Sequence, residues 1–272
     1  IPSVLTKFKL TKHMDLRLSY AYGFRSPTLQ ELYFSFHNDN HDIDGNPDLK
    51  AEYSHNITGS VAYRVLHSEK IHLTTTLSGF YNDFRDKISL AQNVDIPNYN
   101  TYYNIDRYKT VGGSLENSLS WGGLRANLNV SLIGRYNRYA TGDKSMPRFR
   151  YSPEVSTNIS YHIEKTGTDI SLFYKYTGER KEYYYHEYTT ADNKKESEIY
   201  LRGMKSYHTG DLTVTQKLTS FLHLNAGVKN LFNLTSLETI AESPNDTPSV
   251  SYLGCGRSWS VGLSFLLNGK FN

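Results

Sequence analysis

At 272 residues the chain is long enough for one large domain or two small ones. Tyrosine is the outlier at 23 residues, and no apolar run approaches the ~18 residues of a membrane helix, which excludes a helical membrane protein but not a membrane barrel, whose strands alternate apolar with polar. A net charge of +3 is too small to argue for nucleic acid, and the single cysteine, Cys255, allows no intrachain disulfide and leaves the redox compartment open.

Ile1-Pro2-Ser3 leads directly into strand-like sequence with nothing that reads as a signal peptide, so a mature or trimmed chain is expected. Period-two alternation then recurs along the chain. It runs through Leu16, Leu18, Tyr20, Tyr22 and Phe24, then Ile57, Gly59, Val61, Tyr63 and Val65, then Ile71, Leu73, Thr75 and Leu77. From Leu124 to Leu132 every even position is apolar and every odd one polar. The pattern returns in Val155 to Ile163, Ile170 to Tyr176, Leu222 to Val228 and Trp259 to Leu267. Side chains of a strand point to opposite faces in turn, so each segment has one apolar and one polar face. No comparable stretch has a 3.6-residue period, and the expected class is all-β.

The connections fall into two kinds that take turns. Short ones are expected at Thr11 to His13, His67 to Lys70, Gly122-Gly123, Glu164 to Gly167 and Thr219-Ser220. Long ones are expected at Arg25 to Lys50, Asn93 to Asn100, Thr141 to Pro153, Glu187 to Ile199 and Leu234 to Ser249. Short turns at one rim and long loops at the other predict an antiparallel up-and-down transmembrane β-barrel. A soluble sandwich would have strands of ~5–6 residues and no such asymmetry. Trp121, Tyr136, Tyr139, Tyr161, Tyr174, Tyr176 and Trp259 suit an interfacial girdle, although the same rings serve ordinary sheet packing. The count of strands is about eleven. An odd number leaves two unpaired edges, which lipid does not tolerate, so the chain is expected to be part of a larger barrel.

Four motifs carry a family resemblance. Phe24-Arg25-Ser26-Pro27 and Asn46-Pro47-Asp48-Leu49 bracket a polar loop, Val228 to Asn233 reads VKNLFN, and Gly256 to Phe265 reads GRSWSVGLSF. In this order they resemble the FRAP-like box, the NPNL-like box, the NLFN segment and the final strand of TonB-dependent outer-membrane receptors. The chain departs from that pattern by continuing from Leu266 to Asn272, with Phe271 penultimate rather than terminal. SusC-type glycan importers usually follow the Asn-Pro-x-Leu box with Trp-Glu; here Lys50-Ala51-Glu52 follows, as in the smaller receptors for haem, cobalamin and siderophores. The resemblance implies a 22-stranded barrel, of which residues 1–272 would be the C-terminal part with the plug domain absent. It further implies a multi-pass protein of the bacterial outer membrane that imports a scarce ligand, haem or another iron complex first, cobalamin or a siderophore as the alternative. Expected partners are the TonB complex, outer-membrane lipid, the small-molecule ligand and a haem- or ligand-delivering surface protein. No intrinsic cofactor is expected, haem being cargo.

Haem receptors of this family are similar in placing a histidine between the two boxes. Here His37 and His41 occupy that interval, and neutral imidazole is an ordinary axial ligand for haem iron. Their acidic neighbours equally suit a hydrated-cation loop. A second cluster around Tyr184 and His186 offers rings that would sandwich a porphyrin, or a strand extending above the membrane. Arg148, Arg150, Arg180 and Lys181 are candidates for propionates or an anionic siderophore. An enzyme is not expected: there is no Gly-x-Ser-x-Gly elbow, His-Glu-x-x-His or phosphate loop, and His208 with Asp211 is the nearest approach to a dyad. A small autonomous porin is the alternative of another class.

Overall fold

The structure is a computed structural model and describes residues 1–38, 42–92, 99–138, 148–189, 192, 194–241 and 250–265. Eleven strands form one continuous antiparallel path. They are β1 (Ser3–Lys9), β2 (Met14–Arg25), β5 (Glu52–His67), β6 (Ile71–Gln92), β7 (Tyr99–Trp121), β8 (Leu124–Arg138), β9 (Arg150–Ile163), β10 (Thr168–Thr177), β13 (Tyr207–Lys217), β14 (Leu222–Lys229) and β17 (Ser258–Phe265). Every neighbour in that path is the next wall strand along the chain, which is the up-and-down order the alternation predicts. β6 and β7 run to 22 and 23 residues, far beyond a sandwich strand. The path ends at β1 on one side and β17 on the other, so among the described residues the sheet is open.

The remaining elements belong to the long connections. A short helix α1 (Leu29–Tyr33), β3 (Ser35–His37) and β4 (Asp42–Asp44) lie between the wall strands β2 and β5, and β4 adds in parallel to Tyr99–Thr101 of β7. β11 (Arg180–Thr189) and β12 (Lys195–Met204) form a hairpin between β10 and β13. β15 (Ser236–Ala241) and β16 (Val250–Tyr252) form another between β14 and β17, and β12 pairs with β15 to join the two into a separate four-stranded sheet. This corrects one expected loop. The connection read as Glu187 to Ile199 runs from 178 to 206 and is mostly strand, because the pairing continues beyond a break at Gly178-Glu179. The alternation of short and long connections holds at all five places each. Gly122, at a φ of +53°, makes the two-residue turn between β7 and β8, a conformation that other residues adopt only at a cost.

Register decides which face is which. Val61, Leu77, Leu115, Val130 and Val155 stand side by side across β5 to β9. None of them is buried, and Leu77 is 60% exposed, Leu115 42% and Val130 44%. Buried apolar residues among those described are only Ile88, Ile105 and Leu201. A water-soluble domain buries such a face, since ~25 cal/mol per Å2 is gained by removing it from water. The opposite face is polar and hydrogen-bonded to itself, as in Asn82 Nδ2 to Thr110 Oγ1 at 2.9 Å, Asn225 Nδ2 to Ser264 Oγ at 2.7 Å, and Arg64 on Asp15 at 3.1 Å. Oily outside and polar inside is the pattern of a membrane barrel wall.

The apolar band also has the right height. On β6 it runs from Ile71, paired with Trp121, to Tyr81. Ten residues of a strand tilted by ~45° rise about 23 Å, close to the ~25 Å band of such barrels. Beyond Tyr81 the same face turns ionic, with Asp83 bound by Arg107 at 2.8 Å and approached by Lys109 at 3.7 Å. Trp121 and Tyr161, two of the expected girdle rings, flank the short-turn edge of the band, and Tyr81, which was not among them, stands at its other edge; Tyr139 lies outside the described residues.

Candidate functional site

Every candidate ligand residue that the structure describes is carried by a connection at the long-loop rim or by the strand end beside one. The segment between the two boxes is built as a braced loop. Thr28 caps α1 with its hydroxyl accepting from the Glu31 backbone N–H, and the Glu31 carboxylate accepts from the Thr28 N–H at 2.8 Å. Arg25 donates from Nη1 to both Glu31 oxygens at 2.9 Å and from Nη2 to Glu52 at 3.2 Å. One guanidinium thus ties the end of β2 to the helix and to the start of β5. Burial pushes the Glu31 carboxyl up, but the Thr28 N–H, the Arg25 guanidinium and the Thr28 hydroxyl outweigh it and hold it below its ordinary value.

The second box is the other brace. Asn46 turns the chain by accepting from the Asp48 N–H at 2.9 Å and donates from Nδ2 to the Tyr102 carbonyl of β7, also at 2.9 Å. Asn104 on the same strand accepts from the Lys50 N–H at 2.8 Å and donates to the Lys50 and Asp86 carbonyls. Gly45 is required by close approach: a Cβ there would sit 2.5–2.7 Å from the Leu32 and Tyr33 backbone. In both boxes the polar residues act as joints of the loop. Phe24 packs outside on Tyr53 at 5.3 Å between ring centres, Ser26 and Pro27 lead into the cap, and Pro47 and Leu49 complete the turn on β7.

His37 lies at the end of β3 and closes the hairpin. Its Nδ1 is 3.2 Å from Asp42 Oδ1, its Nε2 is 2.8 Å from Ser35 Oγ and 3.3 Å from Asp44 Oδ1. Both ring nitrogens are engaged, although the side chain is 56% exposed. An iron ligand needs one free nitrogen, so ligation here requires the Ser35–Asp44 side to open while Asp42 continues to orient the ring. His41 lies outside the described residues.

The other candidates sit at a different part of the rim. Arg148 is exposed just ahead of β9, and Arg150 opens β9 opposite Arg135. β11 packs against β8 and β9, with Glu182 3.9 Å from Arg135. The backbone of β11 places Tyr184 opposite Tyr200 and His186 opposite Glu198; their side chains lie outside what the structure describes. β11 is therefore the neighbour of the strand that Arg150 opens, whereas His37 belongs to the loop docked on β7. His208 and Asp211 make no dyad. The first accepts or donates to the Tyr174 hydroxyl at 2.8 Å, and the second accepts from the Asn230 N–H at 2.9 Å. An odd spacing puts them on opposite faces of β13.

Sequence reasoning passed over Glu31, Glu52 and Asn104. The Thr28-x-x-Glu31 spacing was a legible capping signal, but the contacts of Glu52 and Asn104 join strands far apart in the chain.

A family model described as "TonB dependent receptor-like, beta-barrel" matches residues 1–231, and the chain belongs to this family. The family is one of receptors, so the enzyme reading falls. Among curated relatives, "Hemoglobin-haptoglobin-binding protein A" of Haemophilus influenzae is 32% identical over 85% of this chain and 23% of its own length. "Hemoglobin-haptoglobin utilization protein B" of Neisseria meningitidis serogroup C is 26% identical over 97% of this chain and 36% of its own. The chain thus spans about a quarter to a third of the length of these two relatives. Among solved structures, the siderophore receptor PirA of Acinetobacter baumannii superposes with a TM-score of 0.61 at 18% identity, over 97% of this chain and 40% of that one. The ferric enterobactin receptor PfeA of Pseudomonas aeruginosa, as its Q482A mutant with enterobactin, gives 0.64 at the same identity. At that identity the likeness is one of fold.

Proposed function

We propose that residues 1–272 are the C-terminal part of the barrel wall of a TonB-dependent receptor that imports haem, or another iron complex, across the bacterial outer membrane. The exposed apolar face carries this reading, because it fits the lipid-facing side of a barrel wall. The open edges at β1 and β17 would pair with the rest of a 22-stranded barrel, and a plug domain elsewhere in the receptor would take the pull of the TonB complex. The barrel supplies a wall and a gate and makes no bonds. A haem-delivering surface protein at the long-loop rim suits the printed names of the haemoglobin-binding relatives.

In this reading His37 or His41 meets haem iron, Tyr184 and His186 flank the porphyrin, and Arg148 and Arg150 meet its propionates. The double substitution His37→Ala/His41→Ala is expected to abolish growth on haem or haemoglobin as sole iron source while leaving receptor abundance unchanged, because a solvated external loop adds little to barrel stability. The full hydrogen-bond complement of His37 favours a second reading, in which that residue is a hairpin clip and the cargo is a siderophore or cobalamin. Undiminished growth on haem in the double variant selects it.

A further inference from the structure

We propose that His67 and His72 form a chelating site for a divalent transition-metal ion of the copper(II) or nickel(II) type at the short-turn rim. The two stand directly opposite each other at the end of the β5–β6 hairpin, and their Nδ1 atoms are 3.0 Å apart. Two nitrogens each ~2.0–2.1 Å from one ion lie about 2.9 Å apart when they subtend a right angle and ~3.4 Å apart in a tetrahedron. The observed separation is the bite of two adjacent positions in a square-planar or octahedral ion. That geometry, with imidazole nitrogen as donor, selects copper(II) or nickel(II).

The hairpin is built to make this pair. Up to Arg64, β5 and β6 pair in one register, and a bulge between Arg64 and Leu66 then inserts one residue. Had the first register continued, His67 would stand opposite Ile71 and the imidazoles would miss each other. The turn is held closed by the Ser68 N–H on the Ile71 carbonyl at 2.9 Å and by the Ile71 N–H on Ser68 Oγ at 3.2 Å. Both rings are exposed and 4.8 Å apart at an interplanar angle of 55°. Before metal arrives, one Nδ1–H donates to the other Nδ1. On binding, that ring carries its proton on Nε2 instead and both Nδ1 lone pairs face the ion. Arg64, three residues before His67, is held by Asp15 at 3.1 Å. Among the described residues no group of three or more His, Cys, Asp or Glu gathers round an ion, so water completes the coordination.

The test titrates the intact receptor in detergent micelles with nickel(II), and separately with copper(II), by calorimetry. Wild type is expected to show one site that His67→Gln and His72→Gln each weaken by more than about 100-fold, since even the loss of an outer-shell partner costs ~10–100-fold. His72→Cys keeps a ligand in place and is expected to retain nickel(II) binding, which separates lost ligation from lost folding. The copper(II) paramagnetic spectrum should show coupling to two nitrogens. Wild-type binding no stronger than that of the double glutamine variant, or a site that survives it, overturns the proposal.

Discussion

Val130→Arg is expected to destabilise the barrel by ~2–4 kcal/mol, the cost of an arginine on the lipid face near the bilayer midplane. Val130 lies in the row Leu77–Leu115–Val130–Val155, about midway up the apolar band, with nothing packed over it. Its neighbour Asn129 points to the polar face, and Asn129→Arg is expected to cost far less. The comparison reads out as the denaturant midpoint of the intact receptor in bilayers. In a soluble protein the order would vanish, because an arginine in place of an exposed valine is a surface change of within about ±0.5 kcal/mol. Equal effects of the two substitutions would contradict the assignment of the faces.

Arg25→Ala is expected to release the loop between the boxes while leaving the wall intact. It removes a three-way clamp and leaves the Glu31 and Glu52 carboxylates facing each other without their shared cation. Because the Arg25 side chain is 41% exposed, solvent screens the pair, and the expected loss of local stability is roughly 1–2 kcal/mol. Hydrogen exchange of the α1 amides should rise about tenfold or more, with β6 and β7 unchanged. Arg25→Lys should fall between, since one ammonium nitrogen cannot reproduce the two guanidinium nitrogens that reach Glu31 and Glu52 separately. Acid should act on the same joint. The folded carboxyl of Glu31 lies below its ordinary value, so its contribution is fully present above that value and is lost as pH falls through the folded one. Faster α1 exchange under acid that persists equally in Glu31→Gln would contradict this assignment.

The wall of the barrel was legible because one face of each strand must satisfy lipid. The eight alternating segments, among them Leu124 to Leu132, all fall on wall strands, and the expected count of about eleven matches the eleven of the path. The upper sheet was not legible. Tyr183, Tyr184 and Tyr185 are apolar on both faces, so β11 carries no period and its pairing with β12 depends on contacts absent from local sequence. Box residues Arg25 and Asn46 were found as motifs, but their work, bracing to Glu52 and to β7, needed long-range geometry. His37 was chosen for its chemistry, and that chemistry could not reveal that Asp42, Asp44 and Ser35 already occupy both its nitrogens.

The central claim is that this chain crosses the outer membrane with its long connections outside and its short turns inside. A protease recognition site inserted at 190–194, between β11 and β12, should be cut when protease is added to intact cells carrying the full receptor. The same site inserted at Gly122-Gly123 should be cut only after the outer membrane is opened. Cleavage at Gly122-Gly123 on intact cells, with the 190–194 site protected, would contradict the orientation and with it the receptor reading.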